Sequence, residues 1–482
     1  MRRFRSAACA LVPATVAVVL AGCAIGPNYR RPTAASAEQY KNPVATAAAA
    51  VPDDWWTLFN DPILNDLESQ VIVNNQNIAQ ASAAYMQARA VVRQDRSNLL
   101  PSIDLSGAAT HSQSGAPGFV VGGTGGGGLI SGSTTSKTYQ LGASADWQLD
   151  VWGKLRRTLE NARAGAQASA AELANAELSA RSQLATAYLQ LRGADAQRKL
   201  LADTESAYSR TLTITQNKYK AGVSTRTDVL QAQSQLLSAQ DQEQSELLQR
   251  DQLENAIAAL IGKPASGFQI AARDTWDIPT PQIPAGVPSE LLQRRPDIAT
   301  AERQMAAANA TIGVQEAAYF PAITLTGSYG FLSTVASTLF ESKNLTKSFG
   351  GSLSQTLLDF GGRRAQVEQA RRQYDQTVAS YRQAVLTAFQ DIENDLAGAS
   401  IYQKEFDLRR QNSEALDLSE QLTLNQYRAG TVDFTTVVVA QTSALNARLQ
   451  LAQMKVSQQT NAVTLITDLG GGWKAPDYTH YR

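Results

Sequence analysis

The chain has very few residues of the kinds that make reactive sites. Its 482 residues include two cysteines, Cys9 and Cys23, and two histidines, His111 and His480. A Cys/His metal centre or a Cys–His dyad therefore has almost nothing to be built from. No Ser-His-Asp set and no paired carboxylate cleft stands out, so no enzyme chemistry is expected and no cofactor is implied. Aromatic residues make up only 7%. That excludes a thick aromatic core and favours long helices, in keeping with the heavy use of alanine and glutamine. Lys and Arg together number 43, as do Asp and Glu. A net charge of zero gives no basic excess for nucleic acid.

Long apolar runs are also missing, with one exception at the start. Arg2, Arg3 and Arg5 precede an apolar stretch from Ala7 to Leu20. It reads as an export signal over 1–22, too short for a convincing spanning helix. Leu20-Ala21-Gly22-Cys23 has the form of a bacterial lipobox, which makes Cys23 the expected lipid attachment site. Cleavage there removes three of the 43 basic residues and none of the 43 acidic ones, leaving −3. It also removes Cys9, so no internal disulfide is possible.

What is abundant is repetition. "NKYKAGVSTRTDVLQAQSQLLSA" at 217–239 aligns without a gap on "NQYRAGTVDFTTVVVAQTSALNA" at 425–447, a shift of 208 residues. "LLPSIDLSG" at 99–107 resembles "YFPAITLTG" at 319–327, and "LDVWGK" at 149–154 resembles "LDFGG" at 358–362. Both halves run in one order: short helix, two strands, very long helix, turn, return helix. The chain is two copies of one unit, expected at 61–262 and 291–469. A segment at 23–60 precedes them, a Pro-rich linker at 263–290 joins them, and a tail at 470–482 follows.

Strands are expected at 101–111, 139–149, 320–331 and 348–358. At 139–149, Tyr139, Leu141, Ala143, Ala145, Trp147 and Leu149 alternate with small or polar residues. Such a period of two is the pattern of a lipid-facing barrel strand. No proline interrupts 155–220 or 363–428, so each is predicted as one helix of roughly 100 Å. Return helices follow at 226–261 and 433–468, with shorter pieces at 76–98 and 297–317. Val229, Ala232, Leu236 and Ala239, like Val437, Ala440, Ala444 and Ala447, recur at spacings that permit close helix packing.

The aligned stretches thus become helix hairpin tips. Gly222 and Gly430 fit the left-handed position that ends a helix. Thr227 or Ser224, and Asp433 or Thr435, are candidate caps for the helices that follow, and Asp150 and Asp359 for the long ones. "GTGGGG" at 123–128 matches a phosphate-loop pattern but opens no helix, so it reads as a loop between strands.

"GCAIGPNYRRP" at 22–32, "WWTLFNDPILNDL" at 55–67, "LLQRRPDIATAERQMAAANATIGVQEAAYFPAI" at 291–323 and the two tip repeats resemble the TolC-like outer-membrane efflux factors, specifically the lipoprotein group called NodT or OprM. The resemblance runs from Cys23 to about Leu469. It implies a mainly helical fold with four membrane β-strands per chain, which a homotrimer closes into a twelve-stranded barrel. A helical periplasmic tunnel with an equatorial belt continues it, and both termini fall in that belt. It further implies a passive exit duct in the outer membrane, working with a periplasmic membrane-fusion adaptor and an inner-membrane pump of the resistance-nodulation-division (RND) type. The outlet of a one-step (type I) protein secretion system and a non-channel envelope scaffold are the alternatives. The lipobox favours the efflux duct over the first, and the alternation at 139–149 argues against the second.

On this basis the tips carry the gate and the adaptor-docking end, through Tyr219, Gly222, Arg226, Asp228, Tyr427, Arg428, Gly430 and Asp433. The arginines, the acids and Tyr427 are expected to bond across the resting aperture. One departure stands out. The group commonly carries an acid just before the second Ala-Gln pair, and this chain has Val439 there.

Overall fold

The computed structural model describes residues 24–33, 39–41, 51–115, 133–283 and 294–476. Cys23, the export signal, the glycine loop at 123–128 and the end of the Pro-rich linker lie outside the described residues. The elements in chain order are α1 (Pro62–Asn74), α2 (Gln76–Ser97), β1 (Ser102–Gly115), β2 (Ser133–Leu149), α3 (Lys154–Lys220), α4 (Arg226–Leu260), α5 (Pro296–Ala317), β3 (Ala322–Ser333), β4 (Leu345–Ser354), α6 (Gly362–Ala429) and α7 (Phe434–Asp468). No helix among the described residues is long and apolar enough to cross a membrane.

Two compact units emerge, and neither coincides with a sequence repeat. One gathers residues 1–31, 87–166 and 303–378; the other gathers 32–86, 167–302 and 379–482. Each repeat contributes to both.

The first unit holds a four-stranded antiparallel sheet in the order β1-β2-β3-β4. Its register sorts the side chains by face. Ile103 lies opposite Ala145, Ala145 opposite Gly327, and Gly327 opposite Phe349. One residue along, Asp104, Ser144, Ser328 and Ser348 form the next row. Directly opposed residues share a face, so one face carries Ile103, Leu105, Trp147, Leu325, Tyr329 and Phe349. The other carries serine, threonine, aspartate and glycine. Serine hydroxyls bridge neighbouring strands on the polar face, Ser328 to Ser348 at 2.8 Å and Ser112 to Ser136 at 3.0 Å. β4 departs from the expected 348–358 and ends at Ser354. Ser354 pairs with Ala322, the first residue of β3, so among the described residues nothing remains to hold the next ones in the ladder.

In the same unit the residues after Cys23 are pinned. The Ile25 N–H donates to the Trp152 carbonyl at 3.1 Å. The Arg157 guanidinium donates to the carbonyls of Ile25 and Gly26 and to Asn28, each at 3.0 Å. Gly26 has φ 99°, and a Cβ there would lie 2.4 Å from the Cα of Gly313. Residues 24–28 are thus held at the start of α3 and on α5.

The second unit buries Trp55, Phe59 and Leu64 against Tyr188 of α3, Ile257 of α4 and Ile466 of α7. Asp61 caps α1 by accepting from Ile63 and Leu64 and also pairs with Arg273 at 2.9 Å. A buried ion network ties the linker down. Asp195 binds Arg192 at 2.8 Å and Arg250 at 2.7 Å, and the two arginines donate to the carbonyls of Ala271 and Ile270. Arg295, next to Pro296 at the start of α5, donates to the Asp468 side chain at 3.1 Å and so clamps the end of α7.

Candidate functional site

The hairpin tips lie in the second unit. Both long helices stop in the same way. The Gly222 N–H donates to Tyr219 and the Val223 N–H to Lys218; the Gly430 N–H donates to Tyr427 and the Thr431 N–H to Gln426. These paired 5→2 and 6→1 bonds form a Schellman motif, which needs a left-handed residue just past the helix. Gly222 has φ 74° and Gly430 φ 81°.

The return helices start with the same two residue types in exchanged places. At α4, Thr225 is the cap and Asp228 the third helical residue. Asp228 N–H donates to Thr225 Oγ1 at 3.2 Å, and Thr225 N–H donates back to Asp228 Oδ2 at 2.8 Å. This closed capping box places the cap at Thr225 rather than at Ser224 or Thr227. Ser224 instead donates its hydroxyl to Asp228 at 2.7 Å. At α7, Asp433 is the cap and receives both the N–H and the hydroxyl of Thr436, at 2.9 and 2.6 Å. Partial burial pushes Asp228 up, but the bonds from Ser224 and Thr225 outweigh it and hold the carboxyl below its ordinary range. The Thr436 bonds lower Asp433 in the same sense.

The aromatic residues part company. Tyr219 is 47% exposed, while Tyr427 is buried against Phe434 with ring centroids 5.4 Å apart. Around that pair lies a small core of Ala232 and Val437 with Leu212, Leu424 and Val438 packed on it. Lys218 closes it from the first hairpin. Its ammonium sits 3.8 Å from the Tyr427 ring centroid and donates to the Tyr427 carbonyl at 2.6 Å. Sequence reasoning passed over Lys218, because its partner stands 209 residues away.

Arg226 and Arg428 are exposed, and no ion pair joins either to Asp228 or Asp433. Within one chain both acids are committed to helix starts. Val439 is 61% exposed on α7. The α4 and α7 seams pack as the spacing predicts, with Ala232, Ala239, Val437, Ala444 and Ala447 buried. Asp150 and Asp359 cap α3 and α6, accepting from the N–H groups of Leu155 and Arg363 at 2.8 and 3.0 Å.

Comparison with known proteins agrees at every level. The family model for outer membrane efflux proteins matches residues 67–263 and 287–471. A probable efflux pump outer membrane protein of Pseudomonas putida, TtgC, is 30% identical over 470 residues, covering 95% of each chain. The cation efflux system protein CusC of Escherichia coli is 27% identical over 473 residues, covering 97% of this chain and 99% of its own. Among solved structures, the outer-membrane channel OprN superposes with a TM-score of 0.85 at 30% identity, covering 94% of this chain and all of its own. The open-state channel MtrE of Neisseria gonorrhoeae gives 0.80 at 28%, covering 95% and 100%. With its two-faced sheet and duplicated long helices, the chain belongs to the outer membrane efflux protein family, has the TolC-like channel fold, and serves as the outer-membrane exit duct of a tripartite efflux system rather than as an enzyme.

Proposed function

We propose that three copies of this chain form the working duct, that Cys23 anchors each to the outer membrane by lipid, and that the two tips dock a periplasmic adaptor and gate the passage of small solutes from an RND-type pump. The observation that carries this is the sheet, with one apolar and one small-polar face and two open edges. Open edges are pairing sites. Four strands are too few to close a barrel, and two copies give a width that side chains fill. Three copies leave a lumen and close by rotational symmetry. The lipid anchor is supported by Ala24, the residue after Cys23. A Cβ on Gly153, four residues beyond the end of β2, would lie 2.7 Å from Ala24 Cα, so Ala24 lies close to the end of β2. Several acyl chains anchor stably where one is marginal. Relatives are named for antibiotic, toluene, cation and pyoverdine export; this chain is assigned small solutes as a class.

At the tips, two hairpins per chain give a ring of six. Among the described residues, Arg226 and Arg428 pair with no acid, which leaves them for groups across the aperture or on an adaptor. Exposed pairs are worth only about 0–1 kcal/mol each, weak enough for a docking partner to open. The purified chain is expected to run as a trimer in native mass measurement. Its low resting conductance in planar bilayers is expected to rise several-fold when Arg226→Ser and Arg428→Ser are combined. Unchanged conductance in an intact trimer removes these arginines from the gate; a monomer or dimer removes the trimer. Mass measurement of the mature N-terminus showing an unmodified Cys23 ends the anchor.

A further inference from the structure

Within the sheet the two repeats meet at one junction, between β2 of the first and β3 of the second. It is sealed beyond the last strand pair. Trp152 stacks on Phe320, centroids 4.9 Å apart and planes 28° apart, and its indole N–H donates to the Pro321 carbonyl at 2.9 Å. The repeats match residue for residue here. Trp147 of β2 donates to the Leu99 carbonyl at 3.0 Å, and Gln355, 208 residues on, donates to the Tyr319 carbonyl at 2.9 Å. Leu99-Leu100-Pro101 therefore corresponds to Tyr319-Phe320-Pro321, and Trp152-Gly153 corresponds to Phe360-Gly361. The second copy of each half of the junction stands open. Phe360 is 92% exposed and Leu100 68%, against 40% for Phe320. Phe360 is also held at φ 50°, a left-handed backbone that a side chain rarely adopts and that marks a constrained site.

We infer that Phe360 of one chain packs on Leu100 of a neighbouring copy, repeating between copies the Trp152–Phe320 clasp made within the chain. This rests on the trimeric assembly proposed above and assigns its contact at the helix end of the sheet. The contact is continuous with the junction between the repeats and carries it across the open edges of β4 and β1. It also accounts for the short β4. Residues 147–149 of β2 extend past the start of β1 and pair with β3 alone. Their counterparts 355–357 extend past the start of β3, where no described strand of the same chain pairs with them and another copy's β1 can. The inner register, Leu149 opposite Ile323 and Ala145 opposite Gly327, carries over to Leu357 opposite Ile103 and Leu353 opposite Gly107 of the next copy. That keeps Ile103, Leu105, Phe349 and Leu353, all exposed in the single chain, on one apolar face. Phe360 has no side-chain N–H to reach the Pro101 carbonyl, so the clasp between copies lacks the hydrogen bond of the inner one.

The test uses the full chain in membranes, with Phe360→Cys in a tagged copy and Leu100→Cys in an untagged one. Under mild oxidation the co-expressed pair should give a two-chain band several-fold stronger than Leu353→Cys with Leu100→Cys. Each single variant alone controls for Cys23. A trimer without the Phe360–Leu100 band overturns the contact and leaves the assembly standing, whereas a parent chain that forms no trimer overturns the assembly. If the cysteine variants do not assemble, Phe360→Trp decides. The added N–H should raise the temperature at which the trimer dissociates, and an unchanged or lower temperature counts against the clasp.

Discussion

The two hairpin tips began as one sequence and now do different things with it. Their helix stops are the same, glycine for glycine, because only a left-handed residue ends these helices. Their helix starts share one bond, from the third helical N–H to the cap side chain, with threonine and aspartate exchanged. Their aromatics have diverged fully: Tyr219 faces solvent, while Tyr427 sits in a core that Lys218 closes. The residue matching Lys218 is Gln426, which contributes only its backbone carbonyl, to Thr431. Duplication preserved the parts that backbone geometry demands and freed the rest. The first tip is therefore an adaptable polar surface and the second a packed one, with Lys218 tying them together.

The contrast breaks most sharply at the tyrosines. Tyr427→Ala should lower the local opening free energy of the second hairpin by about 3 kcal/mol, as for a buried aromatic. Tyr219→Ala should change the first by less than about 0.5 kcal/mol, as for an exposed site. Hydrogen exchange at the two tips reads both, and equal effects would erase the distinction. Next in size is the tie. Lys218→Met removes a charged hydrogen bond and a cation–π contact, expected to cost about 1.5 kcal/mol and to loosen both tips at once. Gln426→Met should leave exchange unchanged. The smallest effect is acid sensitivity. Asp228 and Asp433 are both held below the ordinary carboxylate range in the folded chain. Their contribution is therefore full above about pH 4, the unfolded value, and is lost as pH falls through the lower folded value. The start of α7 should loosen first. Asp433 is the only side-chain acceptor at its cap, whereas at α4 the Thr225 hydroxyl still accepts after Asp228 is protonated. Exchange corrected for its intrinsic pH dependence checks the order.

Much of the architecture was legible because it is written in short periods. Trp147, Ala145, Ala143 and Leu141 alternate with polar residues and do share a face. The proline-free runs did become single helices. β4 was legible only in part. Leu353, Leu357 and Leu358 read as strand, yet the ladder stops where its partner inside the chain stops. At the tips the glycines were plain, but three hydroxyl residues in a row of four hid the true cap, Thr225. Arg295 lies inside the quoted block at 291–323, but its clamp on Asp468 spans 173 residues. Local pattern carries no trace of such long-range pairs, nor of the Lys218–Tyr427 tie.

The way each compact unit draws on both repeats has a consequence for how the protein is made. The unit with the sheet needs residues 87–166 and 303–378, and the other needs residues up to the last helix. Neither can close while only the first repeat has been exported. β2 must wait for β3, and α4 for α7, across well over a hundred residues of intervening chain. Contacts so distant in sequence make folding slow and leave strand edges unpaired for long periods. Biogenesis of this duct thus depends on whatever keeps a half-exported chain soluble in the periplasm, and a truncation inside the second repeat should yield no half-sized domain at all.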